Sequence, residues 1–518
     1  MSDSNIAVSG SQIAHPEHAT NEVVIDAGVT AAMRQSSASL DRAFVRGVAW
    51  IGGVKWGVQL VTWATTILVA RILTPQDYGI VSMAAVLLVF ITMLSESGIG
   101  MTVVAVRDIT SDQTAQLHGA AIGFGVISSA LACAVAFPIG WFYEQPALPM
   151  VIVATSVTLL INGFRVVPSA LLQRDLRFAR IAVIDGGHGL LQALATILLA
   201  TLGFRYWSLV LGGLVGALFI TIATVLSRPS AVQWPRWRTL RPVVPFTGHV
   251  MFSRIFWYAY TNSDFVVAGK RLGAQALGGY SYAWTLASIP VDKITALVGG
   301  VTPPMFAAVQ HDRAALRRYF LLVISGLAVL AFPLTIGMAL IAHDFVTVVF
   351  GERWEFIAPS LQILAGYAAV RTIIPTANQI LLVTGDHRFQ MYQNGIALLA
   401  LPIAFYIGSS WGTIGIALAW VFVHPFIIYV PSHVRIFRRL HVSIREYLLA
   451  LWPAISGCLC MALAVLLARA VLPVDVPRVV LLATEVLAGA IAYMSCLGAL
   501  HHRRITGFLT LWRSTQPA

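Results

Sequence analysis

The sequence predicts an all-α integral membrane protein of about 14 transmembrane helices, arranged as two six-helix lobes with two further helices at the C-terminal end. Three observations predict it. Of the 518 residues, 58% are hydrophobic and 11% charged, against roughly 25% charged in soluble proteins, so the chain cannot cover itself for water. Apolar stretches of the ~20 residues that cross a hydrocarbon core recur fourteen times between short polar breaks. Lys and Arg crowd into every second break, as in loops on one side of a bilayer. At ~150 residues per domain a soluble chain of this length would make three or four domains, but that division presumes polar surface this composition lacks.

In chain order, residues 1–46 are polar, rich in Ser, Ala and His, and lack an apolar signal-peptide core; they read as a disordered cytoplasmic tail. Spans are expected at 47–70, 79–103, 115–141, 147–171, 180–203, 206–227, 245–268, 277–305, 315–341, 357–383, 389–409, 411–432, 447–470 and 478–500. The first six, within 47–230, form an N-lobe; the next six, within 245–432, a C-lobe; 447–500 adds two helices, and 501–518 is a cytoplasmic tail. Trp141, Trp207, Trp354, Trp411 and Trp452 fall near span ends, where an amphipathic ring sits well.

An even number of spans puts both termini on one side. Breaks on that side carry twenty-two Lys and Arg, led by Arg174/Arg177/Arg180, Arg236/Arg238/Arg241, Arg313/Arg317/Arg318 and Arg435/Arg438/Arg439/Arg445. The other side carries seven: Arg71, Arg205, Lys270, Arg271, Arg353, Arg469 and Arg478. The asymmetry predicts cytoplasmic termini. It also places the net charge of +12. Cytoplasmic breaks hold twenty-two bases and eleven acids, the far side seven and six, and five embedded bases cancel five embedded acids. The basic excess is a topology signal, and no nucleic-acid partner is expected.

An internal repeat underlies the two lobes. Arg71 to Ala84 set against Lys270 to Ala283, an offset of 199, matches Leu73/Leu272, Gln76/Gln275, Gly79/Gly278, Ser82/Ser281 and Ala84/Ala283, and places Lys55 on Arg254. A second echo relates Arg165-Val-Val-Pro168 in span four to Arg371-Thr-Ile-Ile-Pro375 in span ten. Each echo pairs a helix with the sixth helix after it. Six is even, so the halves share one orientation and are related by a pseudo-two-fold along the membrane normal.

Five bases lie well inside spans: Lys55, Arg165, Arg254, Lys293 and Arg371. Facing lipid, each would oppose insertion by roughly 2.5–3.5 kcal/mol, so they face protein or a wet cavity. One reading pairs them with the embedded acids Glu96, Asp185, Asp264, Asp292 and Glu485 as helix locks, and for Lys293 beside Asp292 it is as good as any other. The other reading sets Lys55 and Arg254 at equal depth on opposed lobes, with Arg165 and Arg371 as a second such pair, clamping one anion. Phosphate or pyrophosphate suits that clamp, because an Arg fork binds its oxygens bidentately and a Lys adds a point charge. Arg71 and Lys270, repeat equivalents at the far end, would draw the diphosphate outward. Glu96 and Asp264 are candidate ion-coupling acids, since a carboxylate beside a cavity exchanges a proton or holds sodium; a helix-to-helix hydrogen bond is the alternative role.

Pro290, Pro303-Pro304, Pro333 and Pro375 lie within spans as bending points or packing features. Gly119/Gly123, Gly212/Gly216 and Gly408/Gly412 have the small-xxx-small spacing of close helix pairs. Cys133, Cys458, Cys460 and Cys496 sit in apolar runs and read as small buried hydrophobes. No phosphate-binding G-x-x-x-x-G-K-[ST] and no H-E-x-x-H occurs, and past the N-terminal tail no break exceeds about twenty residues. We expect no catalytic residues, no metal and no cofactor.

Several strings resemble a family. Ala70-Arg-Ile-Leu-Thr-Pro-Gln-Asp-Tyr-Gly79, Ser95-Glu-Ser-Gly-Ile-Gly100, Leu171-Leu-Gln-Arg-Asp-Leu-Arg-Phe178, Arg271-Leu-Gly-Ala-Gln-Ala-Leu-Gly-Gly-Tyr-Ser281 and Phe350-Gly-Glu-Arg-Trp354 look like the polysaccharide transporter family. It belongs to the multidrug/oligosaccharidyl-lipid/polysaccharide flippase superfamily. The resemblance covers residues 45–445, and the last two spans in hydropathy alone. Family members usually carry Asp where this chain has Glu96. The resemblance implies a flippase of the bacterial inner membrane that moves undecaprenyl-pyrophosphate-linked oligosaccharide to the periplasmic leaflet for lipopolysaccharide or exopolysaccharide biosynthesis. It would work by alternating access around a cationic cavity, beside polysaccharide polymerase and chain-length machinery. Two rivals are weighed: a multidrug or cation antiporter of the same superfamily, which would want acids where this chain has bases, and a membrane glycan polymerase or ligase, which commonly carries a large extramembrane domain.

Overall fold

The computed structural model describes residues 57, 59, 61–96, 99–106, 108–236, 248–473 and 475–501, without the side chains of 94–96, 105, 248–254 and 297. The expected tails, 1–46 and all of 501–518 but its first residue, lie outside the described residues, as does Lys55. Among the described residues the secondary structure is entirely helical.

The first lobe holds α1 (Val61–Ile72), α2 (Pro75–Glu96), α3 (Ile99–Ala105), α4 (Ser111–Tyr143), α5 (Leu148–Arg174), α6 (Phe178–Thr201) and α7 (Tyr206–Ser227). The second holds α8 (Gly248–Thr261), α9 (Ser263–Gly299), α10 (Thr302–Ala308), α11 (Arg313–Val349), α12 (Ala358–Val383), α13 (His387–Gly408), α14 (Gly412–Phe422) and α15 (Val430–Leu440). Then come α16 (Ile444–Val471) and α17 (Arg478–Leu500). Ten helical stretches are long and apolar enough to cross a bilayer. One of them, His387–Leu440, is two spans joined by a short turn at Ser409–Trp411, which makes eleven. Adding α1, α8 with the start of α9, and the rest of α9 gives the fourteen expected.

The ends follow local chemistry. Thr110 opens α4 with a capping box, its hydroxyl accepting from the Gln113 N–H while the Gln113 side chain accepts from the Thr110 N–H, and Ser443 and Glu446 repeat the device at α16. Asp312 caps two N–H groups of α11. Within α9, Gly273 adopts φ 81° and ψ 178°, a conformation essentially restricted to glycine, and separates spans seven and eight. The helices run on through Pro290, Pro333 and Pro375, whereas Pro303 and Pro304 open α10.

Lipid tails are as apolar as Leu, so helices in a bilayer associate through close packing and polar contacts rather than hydrophobic burial. α4 packs on α5 and α6 on α7 in the first lobe, α11 on α12 and α13 on α14 in the second, while α16 and α17 pack on each other and on α11. The lobes meet most extensively where α2 runs along α9. There a Cβ on Gly79 would strike the Ala274 carbonyl, and one on Gly278 would strike the Pro75 carbonyl. Because Ala274 lies 199 residues after Pro75 and Gly278 lies 199 after Gly79, the contact is reciprocal, as an isologous interface requires. The Ser82 and Ser281 hydroxyls, again 199 apart, hydrogen-bond at 2.9 Å. The pseudo-two-fold runs through this seam. The small-xxx-small pairs act inside single lobes: Gly212 and Gly216 meet Thr196 and His188, and Gly408 meets Gly415. Gly412 belongs to a turn at φ 69°, not to a helix crossing.

Candidate functional site

Beside the seam, α1 and α2 on one side and α8 and α9 on the other enclose a cavity of about 400 Å³. Thr66, Ser82, Asn262, Ser281 and Thr285 share its wall with apolar and aromatic side chains, among them Val86, Val89 and Phe265. The end of the molecule that carries Arg71 is closed by side chains crossing between lobes. Tyr78 of α2 meets Tyr282 and Trp354 edge-on, with ring centroids 5.2 and 5.5 Å apart, and the fully buried Trp354 donates its indole N–H to the Ala70 carbonyl at 2.9 Å.

Arg71 and Lys270, expected to attract diphosphate, complete this closure. Arg71 donates to the Val349 and Val348 carbonyls of the second lobe, both at 2.8 Å, satisfying acceptors that the last turn of α11 leaves unpaired. Lys270 reaches the other way, to the Glu144 carboxylate of the first lobe at 2.7 Å, and lies 5.5 Å from the Phe142 ring centroid. The ammonium bonded to Glu144 holds that carboxyl below its usual range. Repeat-equivalent bases thus cross in opposite directions.

The embedded cations divide between settled and open positions. Arg165, half-buried on α5, lines a groove of about 280 Å³ with Gly100, Met101, Ser169 and Gln173, and it forms no hydrogen bond or ion pair among the described residues. Arg371 on α12 donates to the Ser288 hydroxyl at 2.7 Å and lies over Trp284, 4.7 Å from the ring centroid. It too lacks an ion pair among the described residues. Lys293 is exposed on α9. Arg254 and Glu96 lie on α8 and α2 with side chains outside the described residues.

Asp264, on α9, is fully buried. Its Oδ2 accepts from the Tyr280 hydroxyl and the Trp420 indole N–H, both at 2.9 Å, and its Oδ1 from the Phe265 N–H at 2.8 Å. All these donors are neutral. Around them, Tyr367 hydrogen-bonds His424 Nδ1 at 2.9 Å, and Trp420 packs on Trp284, Tyr367 and Phe405. Two helices of the second lobe, α9 and α14, thus meet at one carboxylate, and α12 and α13 pack around the Trp420 ring that serves it. Hydropathy gave no sign of this, since Trp420 and Tyr280 read as apolar filling; the signal would have been a helical acid with ring N–H and O–H donors on neighbouring spans.

Two further constellations escaped the sequence reading. Arg469 of α16 binds Glu485 of α17 and, at 2.7 Å, Asp344 of α11, which fastens the last two helices to the second lobe. Asp386, in the turn between α12 and α13, accepts from Arg435 at 2.6 Å and from Arg439 at 2.7 Å. Burial works against its charge, but the two guanidiniums outweigh it and hold the carboxyl below its usual range. Both clusters join residues far apart in the chain.

Comparison with known proteins gives a consistent answer. The lipopolysaccharide biosynthesis protein WzxC of Escherichia coli (strain K12) is 25% identical over 425 residues, covering 78% of this chain and 84% of that protein. The succinoglycan biosynthesis transport protein ExoT of Rhizobium meliloti (strain 1021) is 26% identical over 386 residues, covering 73% and 77%. The solved structure of the lipid II flippase MurJ in an inward closed conformation matches with a TM-score of 0.68 at 13% identity, over 88% of this chain and 99% of that one, so the two share a fold. The profile of the polysaccharide biosynthesis protein family matches residues 68–359, more than half of the sequence, and the chain belongs to that family.

Proposed function

We propose that the chain is a flippase for undecaprenyl-pyrophosphate-linked oligosaccharide in the bacterial inner membrane, with both termini cytoplasmic, and not an enzyme. The observation that carries the reading is the seam: two repeat-related lobes meet across one reciprocal contact beside a cavity, and side chains cross between the lobes at one end of it. Such a joint can open at either end without breaking a helix. The names of WzxC and ExoT place relatives in polysaccharide biosynthesis and, for ExoT, in its transport. MurJ, whose fold the chain shares, is named for flipping a lipid. These support a lipid-linked oligosaccharide as cargo, delivered to polymerase and chain-length machinery.

In this reading the pyrophosphate is held by Arg165 with Lys55, Arg254 and Arg371, the glycan occupies the wet cavity, and the prenyl tail stays in lipid. Arg165 supports it most directly, because a half-buried cation without a partner among the described residues is a standing site for an anion. Asp264 suits ion coupling, because a carboxylate buried among neutral donors is costly to keep charged without a proton or cation. The test is surface polysaccharide in a deletion strain carrying Lys55→Ala or Arg254→Ala. Both variants are expected to abolish it at near-normal protein abundance in the membrane, and normal output from both would sink the assignment. A polymerase defect would instead leave single repeat units on the surface.

A further inference from the structure

A second cavity, of about 250 Å³, lies within the second lobe between α8, α12 and α13. It shares α8 as a wall with the cavity between the lobes: Trp257 and Tyr260 face it, while Tyr258 and Asn262 face the other, as positions roughly 100–200° apart around a helix allow. Its lining is unusual for a membrane helix bundle. Five residues with side-chain amides, Asn378, Gln379, Gln390, Gln393 and Asn394, share the lining with Trp257, and no lining residue is charged.

The amides are not equally occupied. Gln393 is fixed: it donates to the Ile427 and Ile428 carbonyls at 2.9 and 2.7 Å, in the π-helical turn Pro425–Tyr429, and accepts from Ser432 at 3.1 Å. Gln390 donates to the Asn378 main-chain carbonyl at 2.9 Å and to its side-chain oxygen at 3.4 Å, and Asn378 is exposed on the rim. Gln379 Oε1 is buried and has no hydrogen-bond partner among the described residues. A buried amide oxygen without a donor is a standing deficit, and the Gln379 side chain that carries it is part of the cavity wall. Trp257, about half exposed, offers an aromatic face beside it.

We infer that this cleft is a glycan subsite that takes one uncharged sugar ring of the cargo, with the Gln379 amide turning its unpaired Oε1 into the cleft to accept from a ring hydroxyl and a C–H face of the ring packed on Trp257. Amides both donate and accept, so they match hydroxyls, which do the same. The absence of a charged lining residue disfavours phosphate, which Arg165 serves in the other lobe. The volume lies below the roughly 300–1,000 Å³ of sites for drug-sized ligands, which suits one ring and not a whole oligosaccharide. The inference rests on the flippase reading and adds that one sugar ring is read in the second lobe, apart from the cations that hold the anion.

The experiment uses the purified full-length chain in lipid nanodiscs and two probes, undecaprenyl pyrophosphate and the same lipid carrying the host's oligosaccharide. The wild-type chain is expected to bind the glycosylated lipid about tenfold more tightly, the worth of roughly one net hydrogen bond. Gln379→Leu and, separately, Trp257→Leu are expected to erase that preference while leaving affinity for the bare lipid unchanged. Two variants on different helices guard against a local folding defect, which would show as weaker binding of both probes. Retention of the preference in both variants, as would follow if water alone satisfied Gln379, overturns the subsite. Equal wild-type binding of both probes overturns it too and leaves the flippase reading intact, whereas failure to bind either lipid overturns that reading itself.

Discussion

Arg165 in the first lobe and Arg371 in the second answer to each other in the repeat, yet their surroundings differ. Arg165 stands in an open groove without a partner among the described residues; Arg371 is bonded to Ser288 and covered by Trp284. The acids diverge as well. Asp264 sits in a cage of ring donors, and 199 residues earlier the first lobe has Thr65, whose hydroxyl merely turns back to the Val61 carbonyl. At the seam the match is kept atom for atom, through Gly79 and Gly278 and through Ser82 and Ser281. Duplication therefore preserved the joint, where each half must fit the other, and left the lobe interiors free to specialise.

The sharpest way to break this comparison is at the joint. Gly79→Val and Gly278→Val each push methyls against a backbone carbonyl that cannot swing aside, at a cost of about 1–3 kcal/mol or more. We expect both to abolish surface polysaccharide and to lower the melting temperature of the purified protein to a similar extent. A seam that tolerates one and not the other is not reciprocal.

The two arginines should separate next. Arg165→Ala is expected to weaken binding of undecaprenyl pyrophosphate roughly ten- to a hundredfold, as for a lost charge-assisted hydrogen bond, with thermal stability unchanged. Arg371→Ala is expected to do the reverse. It should lose about 1.5–3 kcal/mol of stability through the lost bond to Ser288 and the uncovered Trp284 ring and change lipid affinity less. Calorimetry and lipid titration of the same samples read both, and identical profiles for the two variants would restore a symmetric clamp.

The smallest effects belong to the crossing bases. Lys270 pairs with an exposed carboxylate, which water and salt screen, whereas Arg71 holds two backbone carbonyls. Cysteine cross-linking between α1 and α11 should therefore fall more in Arg71→Ala than in Lys270→Ala. The acid response has a definite sign. A carboxyl held low in the folded state stabilises at pH above its ordinary value, 4.5 for Glu144, and loses that contribution as pH falls further. Closure at this end should be unchanged between pH 7 and 5 and should loosen only below about 4.5. Loosening near neutrality would mean that another group controls it.

The helix plan was open to reading because insertion into a bilayer imposes length and polarity on each segment separately. Residues 147–171 and 478–500 were expected as spans, and α5 and α17 occupy 148–174 and 478–500. The seam was legible for a related reason, since a self-complementary contact constrains the same positions in both halves and so leaves an echo at a fixed offset. The site was legible in part. Bases in apolar runs announce themselves by their cost, but whether such a base is spoken for depends on a hydroxyl or ring elsewhere, as Ser288 and Trp284 are for Arg371. Amides carry no such signal. Asn378, Gln379, Gln390, Gln393 and Asn394 flank one short turn and could have been noticed as a cluster, but their meaning depends on Trp257, more than a hundred residues earlier.

The junction of Arg469 with Asp344 and Glu485 has a mechanical consequence. It rivets α16 and α17 to α11 through charges held between three helices, so the C-terminal pair travels as cargo of the second lobe and not as an independent paddle. A fluorophore on α17 and its counterpart on α4 would then act as the two hands of a clock, and the angle between them would keep time with each transport cycle.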